Sequence, residues 1–427
     1  MDAPVQYRDW LVSVRRDLHR RPEPAWREFY TTARILEEIE PIGVDDLYVG
    51  REALAGEARL AVPDDEVLAE WRERAREAGA PEDVLSDLAG GYTGAIAVLE
   101  RGEGPTVALR VDIDGLPRAE SDDSDHLPAR EGFRSVNDGA MHACGHDAHA
   151  AIGLGVLRAI AESDFQGTFK VVFQPAEEQI GGGKAIAESG HLDDVDHLLA
   201  VHVGLDHPTG EVVAGVDNFL AVSHFEARFS GAGAHAGGHP NRGRNAVQAM
   251  ATAVQNLYAI ARHEDGATRV NAGKVGGGTA TNIVPEDAFI EGEIRGETTE
   301  LMEYTRERAH TVLENAATMH DCTVDIEKGG EAPSARSDEE LVDVVADVAG
   351  AVDGVESLLR RDDLGGSEDA TYLMQRVQEQ GGEAAYVCIG TDHPGGHHTA
   401  TFDVDEASLP IGVDVLAGTV EALAGGE

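Results

Sequence analysis

Lysine is almost missing from this chain: Lys170, Lys184, Lys274 and Lys328 are the only four among 34 basic residues in a sequence of 427. Against them stand 79 acidic residues, for a formal net charge of −45. So negative a surface repels a phosphate backbone and excludes nucleic acid as a partner. The acids are spread through periodic segments and the apolar fraction is an ordinary 42%, which argues against disorder. A halophilic protein, kept soluble in concentrated salt where self-repulsion is screened, is expected to look like this. Cysteine is scarce too. Cys144, Cys322 and Cys388 are too few to staple a chain of this length, so a reducing, cytoplasmic setting is expected. No apolar run reaches the ~18 residues that a membrane span needs. Met1–Trp10 has no apolar core between a basic start and a small-residue cleavage site, so no secretory leader is read there.

The length suggests two domains or three. Apolar residues at helical spacing (Leu11, Val14, Leu18, then Ala33, Ile35, Leu36, Ile39) predict two helices separated at Arg21-Pro22-Glu23-Pro24. A charged helical insertion follows at 62–92, with Leu68, Trp71, Ala75 and Ala78 on one stripe. Short strands are expected at Thr93–Leu99 and Thr106–Val111. Beyond them, helix Ala148–Glu162, strand Thr168–Phe173, helix Lys184–Ser189 and strand His197–Val203 alternate, the mark of an α/β sheet flanked by helices. From about Asp217 the order becomes β-α-β-β-α-β: Phe219–Phe229, Asn245–Ala261, Arg269–Val275, Asp287–Arg295, Glu300–Met319 and Cys322–Glu327. That order matches the split ferredoxin-like unit. After Gly329-Gly330 the alternation resumes with Glu339–Val348, Ala370–Gln378 and Ala384–Ile389. The reading is one large domain, 1–217 and 330–427, interrupted by a smaller one at 218–329.

The densest chemistry lies in Met141-His-Ala-Cys-Gly-His-Asp-Ala-His149, where three histidines, a cysteine and an aspartate precede an apolar helix that Asp147 is placed to cap. Asp112/Asp114, Glu177/Glu178 and His202 each fall at or just after the end of a predicted strand, where sites of open α/β sheets gather. Cys144, His146, Glu178, His202 and one of His397/His398 form a set that suits zinc or a similar ion, and adjacent glutamates can divide the work of ligand and base. Thiol catalysis by Cys144 with a histidine base is the alternative; it leaves four ligand-type residues without a role.

The stretches Arg110-Val-Asp-Ile-Asp-Gly-Leu-Pro117, Met141 to Asp147, Phe173-Gln-Pro-Ala-Glu-Glu178, Ala200-Val-His-Val203, Gly233-Ala-His-Ala-Gly237, Asn282-Ile-Val-Pro285, Gly366-Ser-Glu-Asp369 and His397-His398 with Phe402 to Glu406 run through nearly the whole chain. Together they resemble the amidohydrolase branch of the aminoacylase/carboxypeptidase family of two-metal peptidases. That branch includes hippurate and indoleacetyl-amino-acid hydrolases, and the insertion narrows the resemblance to the aminobenzoyl-glutamate hydrolases.

The resemblance implies a zinc-peptidase-like domain with a lid and dimerisation domain at 218–329. It also implies two divalent ions, zinc or manganese, held by Cys144 as bridge with His146, Glu178, His202 and His398. His398 is preferred to His397 because the family's ligand stands four residues before the aromatic, here Phe402; Thr399-Ala400 replaces the family's small residue and proline. Glu177 is implied as general base to a water bridging the ions, with Asp114 orienting its neighbours and His235 of a neighbouring protomer steadying the oxyanion. Asn282, Arg295 and Ser367 are implied to hold an N-acyl or N-aroyl amino acid. The roles of Asp112, His142, His149 and His397 stay open. Two assemblies follow from the resemblance: a homodimer, or a heteromer with a related chain in which this one is partner-dependent or non-catalytic.

Overall fold

Stretches of six or seven mostly buried residues, apolar but for a few positions such as Arg110 and Lys170, form the inner strands of a sheet. The computed structural model describes residues 5–425; the first four and last two residues of the expected large domain lie outside the described residues. In chain order the first elements are α1 (Val5–Arg20), α2 (Phe29–Ile39), β1 (Asp46–Val49), α3 (Asp65–Glu77), α4 (Glu82–Asp87), β2 (Ala95–Glu100), β3 (Thr106–Asp112), α5 (Leu127–Glu131) and α6 (His146–Glu162). Then come β4 (Thr168–Gln174), α7 (Gly183–Ala187), β5 (His197–Val203) and β6 (Glu211–Asp217). A second series holds β7 (Ala221–Ser230), β8 (Ala234–His235), α8 (Ala246–Leu257), β9 (Thr268–Gly277), β10 (Ile283–Val284), β11 (Asp287–Gly296), α9 (Thr299–Met319) and β12 (Thr323–Ala332). The chain ends with α10 (Glu339–Ala349), β13 (Ser357–Asp363), α11 (Ala370–Glu379), β14 (Glu383–Ile389) and α12 (Ser408–Ala424). No helix among the described residues is long and apolar enough to cross a membrane.

Two compact units result: 1–217 with 336–364 and 369–427, and 218–335 with 365–368. The first is built on an eight-stranded mixed sheet in the order β1-β2-β4-β3-β5-β14-β6-β13. Strands β4, β3, β5 and β14 run parallel, so their carboxyl ends share one edge. Helix α6, buried along most of its length, packs between the sheet and the helices α1 and α12 in a core with Val111, Phe173, Leu11 and Val413. The insertion is two helices, because Ala78-Gly79-Ala80-Pro81 interrupts the first: Gly79 has φ +105° and Pro81 caps α4. Ala78 is accordingly exposed, and Ala80 joins Leu85 and Leu88 against Phe29 of α2.

The second unit has a four-stranded antiparallel sheet, β12-β7-β11-β9, with α8 and α9 packed on it through Ala249, Ala253, Ala309 and Leu313 against Phe225, Ala227 and Phe229. This is the ferredoxin-like order. Its last strand runs past Glu327 to Ala332. Gly329-Gly330, which read as a break, lies inside the strand where the register with β7 shifts between Lys328 and Glu331, a bulge that glycine accommodates. Segment 365–368 belongs to this unit because Leu220 N–H donates to Gly366 O (2.7 Å) and Ser367 Oγ to Leu220 O (2.6 Å). Strands β6 and β13 and helix α12 are further elements that the alternating pattern alone does not announce.

Candidate metal centre

Asp112 ends β3, Gln174 ends β4 and His202 stands one residue before the end of β5, so three parallel neighbours deliver polar groups to one sheet edge. Asp114, two residues beyond β3 and buried, organises them. Its Oδ1 accepts from His146 Nδ1 (3.2 Å) and from the Glu177 N–H (3.1 Å), and its Oδ2 from the Glu178 N–H (3.1 Å). Glu177 and Glu178 open a 3-10 turn bracketed by the left-handed residues Ala176 (φ 59°) and Ile180 (φ 51°). That backbone persists because Glu28 Oε1 accepts the Ala176 N–H (2.8 Å) while Asp114 takes the next two amides.

The ligand atoms of Cys144, His146 and Glu178 lie within 4.8 Å of one another, and so do those of Cys144, His202 and His397. Cys144 belongs to both groups. Its Sγ is 3.4 Å from His202 Nε2, while His202 Nδ1 donates to Val203 O (2.8 Å), leaving the Nε2 lone pair for a ligand role. Burial and the surrounding imidazoles hold His202 well below its ordinary pKa, in the neutral form that a ligand needs. His146 presents the converse. Although burial pushes it down, Asp112, Asp114 and Glu178 raise it to about 10, and its buried Nε2 makes no hydrogen bond. A nitrogen aimed by a carboxylate on its far side, not hydrogen-bonded, beside a thiol and with Asp112 Oδ1 (3.6 Å) and Glu178 Oε1 (3.9 Å) facing it, fits a divalent cation.

Asp112, His146 and His149 also lie close together, but His149 is not available. Its Nδ1 meets Asp112 Oδ1 at 2.5 Å and its Nε2 accepts the Val203 N–H at 2.8 Å, so both nitrogens are engaged. Asp112 is likewise spent: Arg110 donates to its Oδ2 (2.7 Å), and although burial alone would raise its pKa, His146, Arg110 and His149 hold it well below the carboxylate range. Of the paired histidines, His397 joins Cys144 and His202, whereas His398 Nε2 faces Glu178 Oε2 at 3.7 Å with its side chain 58% exposed. His398 has φ 59°, an uncommon backbone for a non-glycine residue, held by its N–H on Ala143 O (2.8 Å).

Asp147 does not cap α6; the cap is Gly145 (φ +88°). Asp147 instead takes Arg15 Nε (2.7 Å) and His19 Nδ1 (2.9 Å) on its Oδ2, and His19 Nε2 continues to Glu120 Oε1 (3.0 Å), which also meets His126 Nε2 (2.8 Å). Arg15 bonds Asp403 as well. This buried array, and the second one that joins Arg110 to Asp112, Gln174 and Asp369, was not read from the sequence. One signal was present: Arg110 interrupts an otherwise apolar strand, and a buried guanidinium requires buried acids. His142 is buried with neither ring nitrogen hydrogen-bonded, and burial lowers it to about 3.

The second unit holds the remaining residues of interest. His235 is exposed on β8, and its Nδ1 accepts from the N–H groups of Gly237 (3.2 Å) and Gly238 (2.9 Å), so the proton sits on Nε2. Asn282 is exposed, its carbonyl taken by the Ala236 N–H (2.9 Å). Arg295 on β11 reaches Ser367 Oγ (3.4 Å) and Glu293 Oε2 (3.0 Å).

The chain is 45% identical over 413 residues to the indole-3-acetyl-aspartic acid hydrolase of Enterobacter agglomerans, covering 96% of this chain and 94% of that one. It is 42% identical over 413 residues to one of the subunits of the p-aminobenzoyl-glutamate hydrolase of Escherichia coli, with the same coverage. Among solved structures, an aminobenzoyl-glutamate utilization protein from Klebsiella pneumoniae superposes with a TM-score of 0.84 at 37% identity, covering 97% of this chain and 96% of that one. Residues 108–422 match peptidase family M20/M25/M40; with that span and these relatives, the chain belongs to this family and is a metallo-amidohydrolase.

Proposed function

We propose that the protein cleaves the amide bond of N-acyl or N-aroyl amino acids of the aminobenzoyl-glutamate, indoleacetyl or hippurate type. The observation that carries this reading is the double use of Asp114, which aims the His146 ring so that its Nε2 is left without a hydrogen bond, and sets the backbone of Glu177 and Glu178 beside it. Cys144, His146, Glu178, His202 and His398 would hold two divalent ions, zinc or manganese, with Cys144 shared. Those ions, when bound, supply Lewis acidity toward the scissile carbonyl and make water a better nucleophile. Glu177 takes the proton from the attacking water and returns it to the leaving amide nitrogen. The Nε2–H of His235, from a second copy of the chain, donates to the developing oxyanion. Arg295 and Ser367 receive the substrate carboxylate, and Asn282 the carbonyl. The acidic, lysine-poor composition supports a working place in a salt-rich cytoplasm.

Glu177→Ala is expected to keep its metal and lose turnover; retained activity removes the proposed base. Cys144→Ala is expected to lose metal, and a fully loaded variant refutes the shared ligand. A chelator that leaves wild-type turnover untouched favours thiol catalysis instead. A second reading, a partner-dependent or non-catalytic member of a heteromer, draws on the Escherichia coli relative, which is itself one subunit of its hydrolase. Amino-acid release by the purified chain alone, from aminobenzoyl-glutamate, indoleacetyl-aspartate and hippurate, separates the two.

A further inference from the structure

We propose that His149 is a positioning residue: it fixes Val203, and through the Val203 carbonyl it sets the orientation of His202 and His397. The sheet leaves a need at that point. The pairing of β3 with β5 runs from Val107/His197 only to Arg110/Ala200, so β3 offers nothing to the buried amide of Val203 three residues further on. On the other side β14 pairs with β5 as far as Ile389/Val203. The Val203 N–H donates to His149 Nε2 at 2.8 Å, which forces the ring proton onto Nδ1, facing Asp112. Asp112 is braced in turn by Arg110.

The carbonyl of the same residue accepts from His202 Nδ1 (2.8 Å) and from His397 Nε2 (3.3 Å). One backbone residue therefore sets two of the four side chains grouped with Cys144. A histidine three residues after His146, stacked on it at 5.2 Å between ring centroids, acts on the opposite half of the site without contributing a ligand atom. His146 and Glu178 do not depend on Val203: Asp114 aims the first ring and bonds the Glu178 amide. Asp114 still aims His146 and bonds the Glu178 amide when His149 is lost, whereas Val203 loses its side-chain acceptor; the loss also removes the ring stacked on His146 and a partner of Asp112 Oδ1, 3.6 Å from His146 Nε2, so the larger effect falls on the His202 half.

The consequence for metal rests on the proposed two-ion reading, and the test keeps the two apart. Cobalt(II) is titrated into the metal-depleted full chain, following heat and the thiolate-to-cobalt absorption band, for wild type, His149→Leu and His149→Gln. The leucine variant is expected to weaken one cobalt affinity by about ten- to a hundredfold and leave the other within about twofold. The glutamine variant, whose amide offers both an acceptor and a donor, is expected to recover most of the loss. Equal loss of both affinities, or no loss, overturns the inference. A wild-type chain that takes up no cobalt overturns the two-ion reading instead. Imidazole ¹⁵N shifts of the metal-free wild type, assigned against His149→Gln, need no folded leucine variant. They are expected to show His149 protonated on Nδ1, and a proton on Nε2 overturns the proposal.

Discussion

Raising the pH from 6.5 to 9.5 is expected to remove about 3 kcal/mol of stability from the first unit through one residue, His19. His19 is fully buried; burial and the adjacent Arg15 push its pKa down, yet Asp147 and Glu120, bonded to its two nitrogens, lift it from 6.5 to about 9. A histidine whose folded pKa exceeds its unfolded value contributes stability that is fully present below the unfolded value, here 6.5, and is lost as pH rises through the folded one, here about 9. The gap between those values, at ~1.4 kcal/mol per pH unit, gives the magnitude. Trp10, Trp26 and Trp71, the chain's three tryptophans, all lie in the first unit, so urea unfolding followed by tryptophan fluorescence reports on it. The comparison is with His19→Gln, which cannot carry the charge. Glu23 and Glu28, each raised to about 8 mainly by burial, also titrate in this window with the same sign, but both proteins share them and they cancel in the difference. The stability gap between wild type and variant should narrow by about 3 kcal/mol between pH 6.5 and 9.5. Parallel profiles would refute the charged buried array.

Arg110→Met leaves Asp112 and Asp369 buried beside no guanidinium and is expected to cost about 3–5 kcal/mol in urea unfolding at neutral pH, against near-neutrality if the arginine were only packing. Gly145→Ala puts a Cβ 2.5 Å from Val203 Cγ2 at a residue with φ +88°. A loss of about 1–3 kcal/mol is expected, together with weaker cobalt binding, because the loop carries Cys144 and His146. Unchanged cobalt affinity in that variant would mean that the cap geometry does not set the site.

The sequence by itself determined the elements and the inventory of chemical groups. Apolar runs such as Val107–Leu109 and Leu198–Val201, alternating with helical stretches, read as inner strands, and the polar residues that follow them are then expected at one edge of a parallel sheet. Glu178 and His202 are legible as candidates on that argument, and Cys144 and His146 on the density of ligand-type residues before the helix, because ligand chemistry is a property of residue type. Only the tertiary structure decided which atoms are available. His146 and His149 are indistinguishable as letters three apart on one helix; the first keeps Nε2 unbonded because Asp114 takes its other side, and the second has both nitrogens occupied. Cys144 is shared between two groups because His202 of β5 and His397 from the segment after β14 meet it in one, and His146 of α6 and Glu178 from the turn after β4 in the other. Asp147, a natural cap by local rules, is claimed by Arg15, 132 residues away. Periodicity and capping describe neighbours along the chain, whereas the proton on an imidazole is placed by hydrogen-bond partners from other strands and helices, and those become neighbours only when the sheet closes.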